Sequence, residues 1–149
     1  MSLEDKINAD IKAAMLGKQE AALRALRAVK SAILLAKTSG GGAVTEDDEM
    51  KILQKLVKQR KESVEIFEKQ GREDLSIGEK EEIAVIEKFL PAQLDETAIR
   101  AELITIIASV GASSPADTGK VMGAASKAFA GKADNKLVAS IVKELLSGQ

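Results

Sequence analysis

Ile86-Glu87-Lys88-Phe89-Leu90-Pro91-Ala92-Gln93-Leu94-Asp95-Glu96-Thr97-Ala98-Ile99 is the stretch on which the fold depends. Its first half closes one helix and its second half opens another. Proline lacks a backbone N–H and disfavours helical geometry in the residue before it, so the helix carrying Ile83, Ile86 and Phe89 must stop at Leu90-Pro91. Asp95 then offers its carboxylate to the free N–H groups of a new helix. Leu94, just before that cap, is placed to meet Ile99 one turn further in. Pro91–Leu94 is therefore the expected internal boundary, with an N-terminal four-helix part over residues 1–91 and a compact three-helix part over residues 92–149.

Outward from that boundary the same grammar repeats. Towards the N-terminus, Ser76 with Glu79 reads as the opening of the fourth helix, and Gly71 as the stop of a third. That third helix buries Leu53, Leu56, Val57, Val64 and Phe67, and begins at a Thr45/Asp48 capping box with acids throughout its first turn. Gly40-Gly41-Gly42 reads as a mobile loop after a second helix with Ala22, Leu26, Val29 and Ile33 on one face. Ser2 and Asp5 cap a first helix of Leu3, Ile7, Ile11 and Ala14, which ends near Gly17. Towards the C-terminus, Leu103, Ile106, Ile107 and Val110 lead to Gly111. Ser114-Pro115-Ala116-Asp117 opens a sixth helix over Val121, Met122, Ala125 and Phe129. Asp134 caps a seventh, with Leu137, Val138, Ile141, Val142 and Leu145.

Composition agrees. The chain has no Trp, Tyr, His or Cys and only three Phe, and no segment alternates apolar with polar residues over a strand's length. Leu, Ile, Val, Ala and Met must build the core, and the fold class is all-α. The absent residue types also exclude chemistry: no thiolate zinc site, no cysteine nucleophile, no histidine-based triad. The serines at 63, 109, 113, 114, 126 and 140 fall on helices or caps, with no spacing that ties them to a lysine. The acidic runs Glu46–Glu49 and Glu79, Glu81, Glu82 fall where a helix dipole accounts for them, so no metal is expected. Gly119-Lys120 fails as a phosphate loop because Val121 replaces the hydroxyl residue and no strand precedes it. No catalytic residue is identifiable, no cofactor is expected, no run is long enough for a membrane span, and no secretory signal is visible. The cytoplasm is the expected location.

Net charge is −1, so any anion-binding surface must be local. Lys120, Lys127, Lys132 and Lys136 supply one, opposed between them only by Asp134. Lys120 and Lys127 are two helical turns apart, and Gly123 lies between them near the same side. That spacing admits two readings. A small residue flanked by lysines lets a phosphate backbone come close; Gly119 and Gly123, four apart, would equally let another helix pack tightly. A second strip, Lys51, Lys55, Lys58, Arg60 and Lys61, is diluted by Glu62 and Glu65 and reads as a solvated face. Because the phenylalanines fall on apolar stripes, base stacking is not expected. Recognition would go through backbone and shape, as for a folded RNA.

Several motifs resemble one known family. They are Lys58-Gln59-Arg60-Lys61-Glu62-Ser63, Gly71-Arg72-Glu73-Asp74-Leu75, Glu87-Lys88-Phe89-Leu90-Pro91-Ala92-Gln93-Leu94, Gly111-Ala112-Ser113-Ser114 with Asp117, Gly119-Lys120-Val121-Met122, and Gly131-Lys132-Ala133-Asp134. In this order, over nearly the whole chain, they resemble the YqeY family. The resemblance implies an all-helical fold of two parts. Its C-terminal part looks like the tail domain of the B subunit of the glutamine-dependent tRNA amidotransferase, a carbon–nitrogen ligase with glutamine as amido-N-donor. That tail engages tRNA, while the catalytic parts of the ligase have no counterpart here. The expectation is a tRNA- or structured-RNA-binding accessory module using Lys120, Gly123, Lys127, Lys132 and Lys136. The other reading is a protein-interaction module docking on an amidotransferase, a synthetase or another translation factor through an apolar groove, without RNA contact.

Overall fold

A computed structural model describes residues 2–148. Seven α-helices account for it, and no strand occurs among the described residues: α1 (Leu3–Leu16), α2 (Glu20–Thr38), α3 (Glu46–Lys69), α4 (Glu73–Glu87), α5 (Glu96–Val110), a short 3-10 turn Pro115–Asp117, α6 (Thr118–Ala128) and α7 (Asn135–Leu146). The fold is all-α, as composition and periodicity require. Reciprocal capping boxes open α1 and α3. The Asp5 N–H donates to Ser2 Oγ at 3.1 Å while the Ser2 N–H donates to Asp5 Oδ2 at 3.2 Å. Thr45 and Asp48 repeat the pattern at 3.1 and 3.0 Å. Asp95 caps α5 by accepting the Ala98 N–H at 2.8 Å.

Three expectations are corrected. The fourth helix starts at Glu73 and not at Ser76, which is buried inside it with its hydroxyl donating to the Glu73 carbonyl at 3.1 Å. Gly71, at φ 69°, reverses the chain in a tight turn, and Glu73 and Asp74 place anions in the first turn, so the helix begins one turn early. Ser114 and Pro115 open the 3-10 turn and not α6 itself. Leu137 is exposed, because α7 buries Val138, Ile141, Val142 and Leu146 and position 137 falls behind that stripe.

The chain divides into two compact units, Met1–Pro91 and Ala92–Gln149. In the first, α1 and α2 form an antiparallel hairpin, α4 packs on both α2 and α3, and Ile7, Leu26, Val29, Ile33, Leu53 and Ile86 fill the centre. One polar cluster ties three of these helices. Glu82 of α4, with its side chain only 12% exposed, meets Arg24 of α2 at 3.6 Å and Arg60 of α3 at 3.3 Å. Arg60, its side chain 15% exposed, also donates to the Leu56 carbonyl at 3.1 Å, so these two largely buried charges, Glu82 and Arg60, are both satisfied. In the second unit, α5, α6 and α7 enclose Ile99, Leu103, Val121, Ala125, Phe129 and Val138. Its first residues are tied to the α6–α7 loop: the Leu94 N–H donates to the Lys132 carbonyl at 3.0 Å, and Gln93 Nε2 donates to the Gly131 carbonyl at 2.7 Å.

α1 ends at Gly17 as expected, but the left-handed residue that usually accompanies a glycine stop is not the glycine. Gly17 keeps helical geometry, and the left-handed position falls on Lys18 at φ 53°, while the Gln19 N–H closes the turn onto the Ala14 carbonyl at 2.9 Å. A side chain is strained there and glycine is not. Lys18→Gly should therefore raise stability by roughly 0.5–1 kcal/mol in denaturant titration. A loss of stability would mean that the lysine side chain is anchored in a way its exposed position does not show.

Candidate nucleic-acid interface

The inward face of α6 is set by Val121 and Ala125, which are buried, and the opposite face by Gly119, Lys120, Gly123 and Lys127, which are exposed. Lys120 and Lys127 thus share the outward face with Gly123 between them, roughly 10 Å apart along the axis. Lys132 is exposed in the loop after α6, where the left-handed Gly131 (φ 73°) turns the chain. Lys136 is exposed in the first turn of α7. Three of the four lysines therefore gather around the α6–α7 turn, and Lys120 extends the set to the far end of α6.

Gly119 and Gly123 do not serve as a helix-packing notch. A Cβ placed on either would have nothing within 4 Å. The open surface over Gly123 is the feature the phosphate-approach reading requires, and it yields a test. An exposed glycine inside a helix weakens it, so Gly123→Ala should stabilise the chain by about 1 kcal/mol. If a phosphate backbone lies against Gly123, the added methyl should also weaken RNA binding severalfold. A more stable variant with unchanged affinity would remove Gly123 from the interface.

The arrangement of the acids decides the local electrostatics. The Ala92–Gln149 unit contains six acids and six cations. Five of the acids are committed to structure. Asp95 and Asp134 cap α5 and α7. Asp117 accepts the Ser113 and Ser114 N–H groups at 3.0 and 3.4 Å, which hold its carboxyl below the usual carboxylate range, with nearby Lys120 adding to the effect. Glu96 and Glu144 both close on Arg100. One arginine thus absorbs two carboxylates. Among the described residues, Lys120, Lys127, Lys132, Lys136 and Lys143 form no ion pair. Net neutrality conceals an anionic side bound up in caps and one bridge, and a cationic side left facing solvent.

Helix polarity sharpens the point. The positive end of a helix favours acids, and α1 to α5 each carry at least one in the first turn. Neither α6 nor α7 does, and Lys120 and Lys136 occupy first-turn positions instead. Local stability disfavours both placements. This context, and Lys143 as a further unpaired cation, were missed by spacing alone; the order of charge signs at successive helix starts carried the signal.

The second strip is only in part the solvated face expected: Lys51, Lys55 and Lys61 are exposed, but Lys58 is half-buried and Arg60 turns inward between helices. Arg60 is held by Glu82, and Lys61 bridges to Glu87 at 3.5 Å. Among the described residues no group of three or more acids, histidines or cysteines could hold a metal ion, and no helix is long and apolar enough to cross a membrane.

Comparison with known proteins adds two findings. A family model described as Yqey-like protein matches residues 4–146. Altered inheritance of mitochondria protein 41, mitochondrial, of Clavispora lusitaniae (strain ATCC 42720), is 36% identical over 98 residues, covering 64% of this chain and 57% of that protein.

Proposed function

Because the chain belongs to the family of Yqey-like proteins, we propose that it is an RNA-binding accessory module whose C-terminal unit holds tRNA or another structured RNA by its phosphate backbone. Lys120, Lys127, Lys132 and Lys136 would neutralise phosphates, and Gly123 would admit the backbone close to α6. The observation that carries this reading is that the unit's lysines stand unpaired while five of its six acids are engaged in caps and the Arg100 bridge. With Phe129 buried, no aromatic side chain of this unit is offered for base stacking, so contact would be made through shape and charge.

The resemblance of this unit to an amidotransferase tail extends the proposal to association with a glutamine-dependent amidotransferase, the ligase itself supplying the catalysis. We expect the isolated chain to show no glutaminase or amide-transfer turnover, and to act in the cytoplasm. The deciding experiment is titration with unmodified tRNA across a salt series, comparing the parent with Lys120→Gln, Lys127→Gln, Lys132→Gln and Lys136→Gln combined.

A further inference from the structure

Between Glu20 and Glu46 the chain carries Arg24, Arg27, Lys30 and Lys37 and no acid. This makes α2 the helix with the largest net positive charge. Arg24 leans on Glu82 and Lys37 pairs with Glu4, which leaves Arg27 and Lys30 exposed with no ion pair among the described residues.

These two cations belong to a larger surface. On α2, Leu23, Arg27, Lys30 and Leu34 recur at i, i+4, i+7 and i+11, the spacing of one helical face. On α1, Asn8, Lys12 and Met15 recur at i, i+4 and i+7. The two strips adjoin: Asn8, Lys30 and Leu34 line the same small cleft between the helices. The antiparallel register set by Glu4 opposite Lys37 then brings Lys12 level with the stretch between Arg27 and Lys30. Apolar side chains lie at both ends, Leu34 (48% exposed) at one and Met15 (57%) and Leu16 (80%) at the other. Lys12, Arg27 and Lys30 form the middle. From Leu23 to Leu34 the face runs roughly 16 Å, about three helical turns.

We propose that this α1/α2 face is a docking surface for an amphipathic helix of a protein partner, apolar at its ends and acidic at its centre. Flexible Leu and Met anchors around a cationic middle match the anchor spacing of a bound helix. Charge complementarity selects the acidic partner. The exposed leucines and methionine, with no aromatic side chain among them, are of little use to an RNA backbone and favour protein over nucleic acid. The proposal stands apart from the lysines of the C-terminal unit, so either can fail without the other.

The test uses the full chain and a synthetic amphipathic peptide of about three turns, with leucines at its ends and glutamates in the middle of one face. Labelled peptide is titrated by anisotropy. The parent should bind it, with amide shift changes confined to α1 and α2. Arg27→Glu with Lys30→Glu should weaken binding at least tenfold. Leu34→Ala, which leaves every charge in place, should weaken it severalfold. A peptide with lysines replacing its glutamates should prefer the charge-reversed variant. Failure of the acidic peptide to bind the parent, or equal binding to parent and charge-reversed variant, overturns the proposal. So does loss of tRNA binding in that variant with peptide binding intact, since the face would then belong to RNA.

Discussion

Phe129→Ala is expected to unfold the C-terminal unit at or near room temperature while the N-terminal unit keeps its helices. Phe129 closes α6 and is 1% exposed, the largest fully buried side chain among the described residues. It packs with Leu103, Val121, Ala125 and Val138. Removing a buried phenyl ring forfeits its transfer free energy and leaves a cavity, together about 3–5 kcal/mol. The Ala92–Gln149 unit has 58 residues, and at roughly 0.05–0.15 kcal/mol per residue its total stability is of the same order. The core of the other unit is built from Ile7, Leu26, Val29, Leu53, Ile86 and their neighbours, all within residues 1–91. Circular dichroism of the variant should show a partial loss of helix. In amide spectra the signals of α5, α6 and α7 should collapse while those of α1 to α4 persist. If all seven helices melt together, the two units are not independently stable and the division has structural but no thermodynamic meaning.

How far the sequence discloses this molecule depends on what decides each feature. Helix starts governed by a side chain one turn away were legible: Ser2 with Asp5, Thr45 with Asp48, and Asp95 all cap as their spacing requires. Where two start signals stand close together the sequence does not rank them. Ser76 with Glu79 looks like a capping box, yet Glu73 and Asp74 nucleate α4 first, because the left-handed Gly71 has already turned the chain. Lys18 shows the same limit. Gly17 is the natural helix stop, but hydrogen-bond closure onto Ala14 puts the left-handed residue one position later. Buried stripes followed the 3.6-residue period except at an edge such as Leu137, where only the neighbouring helix settles which side faces in. For the lysines, spacing identified a candidate patch and left open whether Gly119 and Gly123 served a neighbouring helix. The empty space over both glycines, and the capture of Glu96 and Glu144 by a single arginine 44 residues from the latter, are tertiary facts that no local pattern contains.

The combined Lys120→Gln, Lys127→Gln, Lys132→Gln and Lys136→Gln variant should bind tRNA with a nearly flat salt dependence. Each phosphate neutralised by a lysine releases condensed counterions, so log K falls with log salt at about 0.7–0.9 per contact. Four contacts give a slope of roughly 3–4, and raising salt from about 50 to 200 mM should then weaken the parent by about 50- to 150-fold through these lysines alone. Glutamine keeps much of the length and polarity of lysine and removes only the charge, so the variant should lose that part of the slope. Folding gives an internal control. Lys120 and Lys136 occupy first turns where the helix dipole disfavours cations. Neutralising them should leave the fold intact or slightly firmer, and a weaker binder that melts no earlier than the parent has lost contacts and not structure. A slope unchanged by the substitutions would show that phosphates are met elsewhere, and the unpaired lysines of the C-terminal unit would then serve solubility alone.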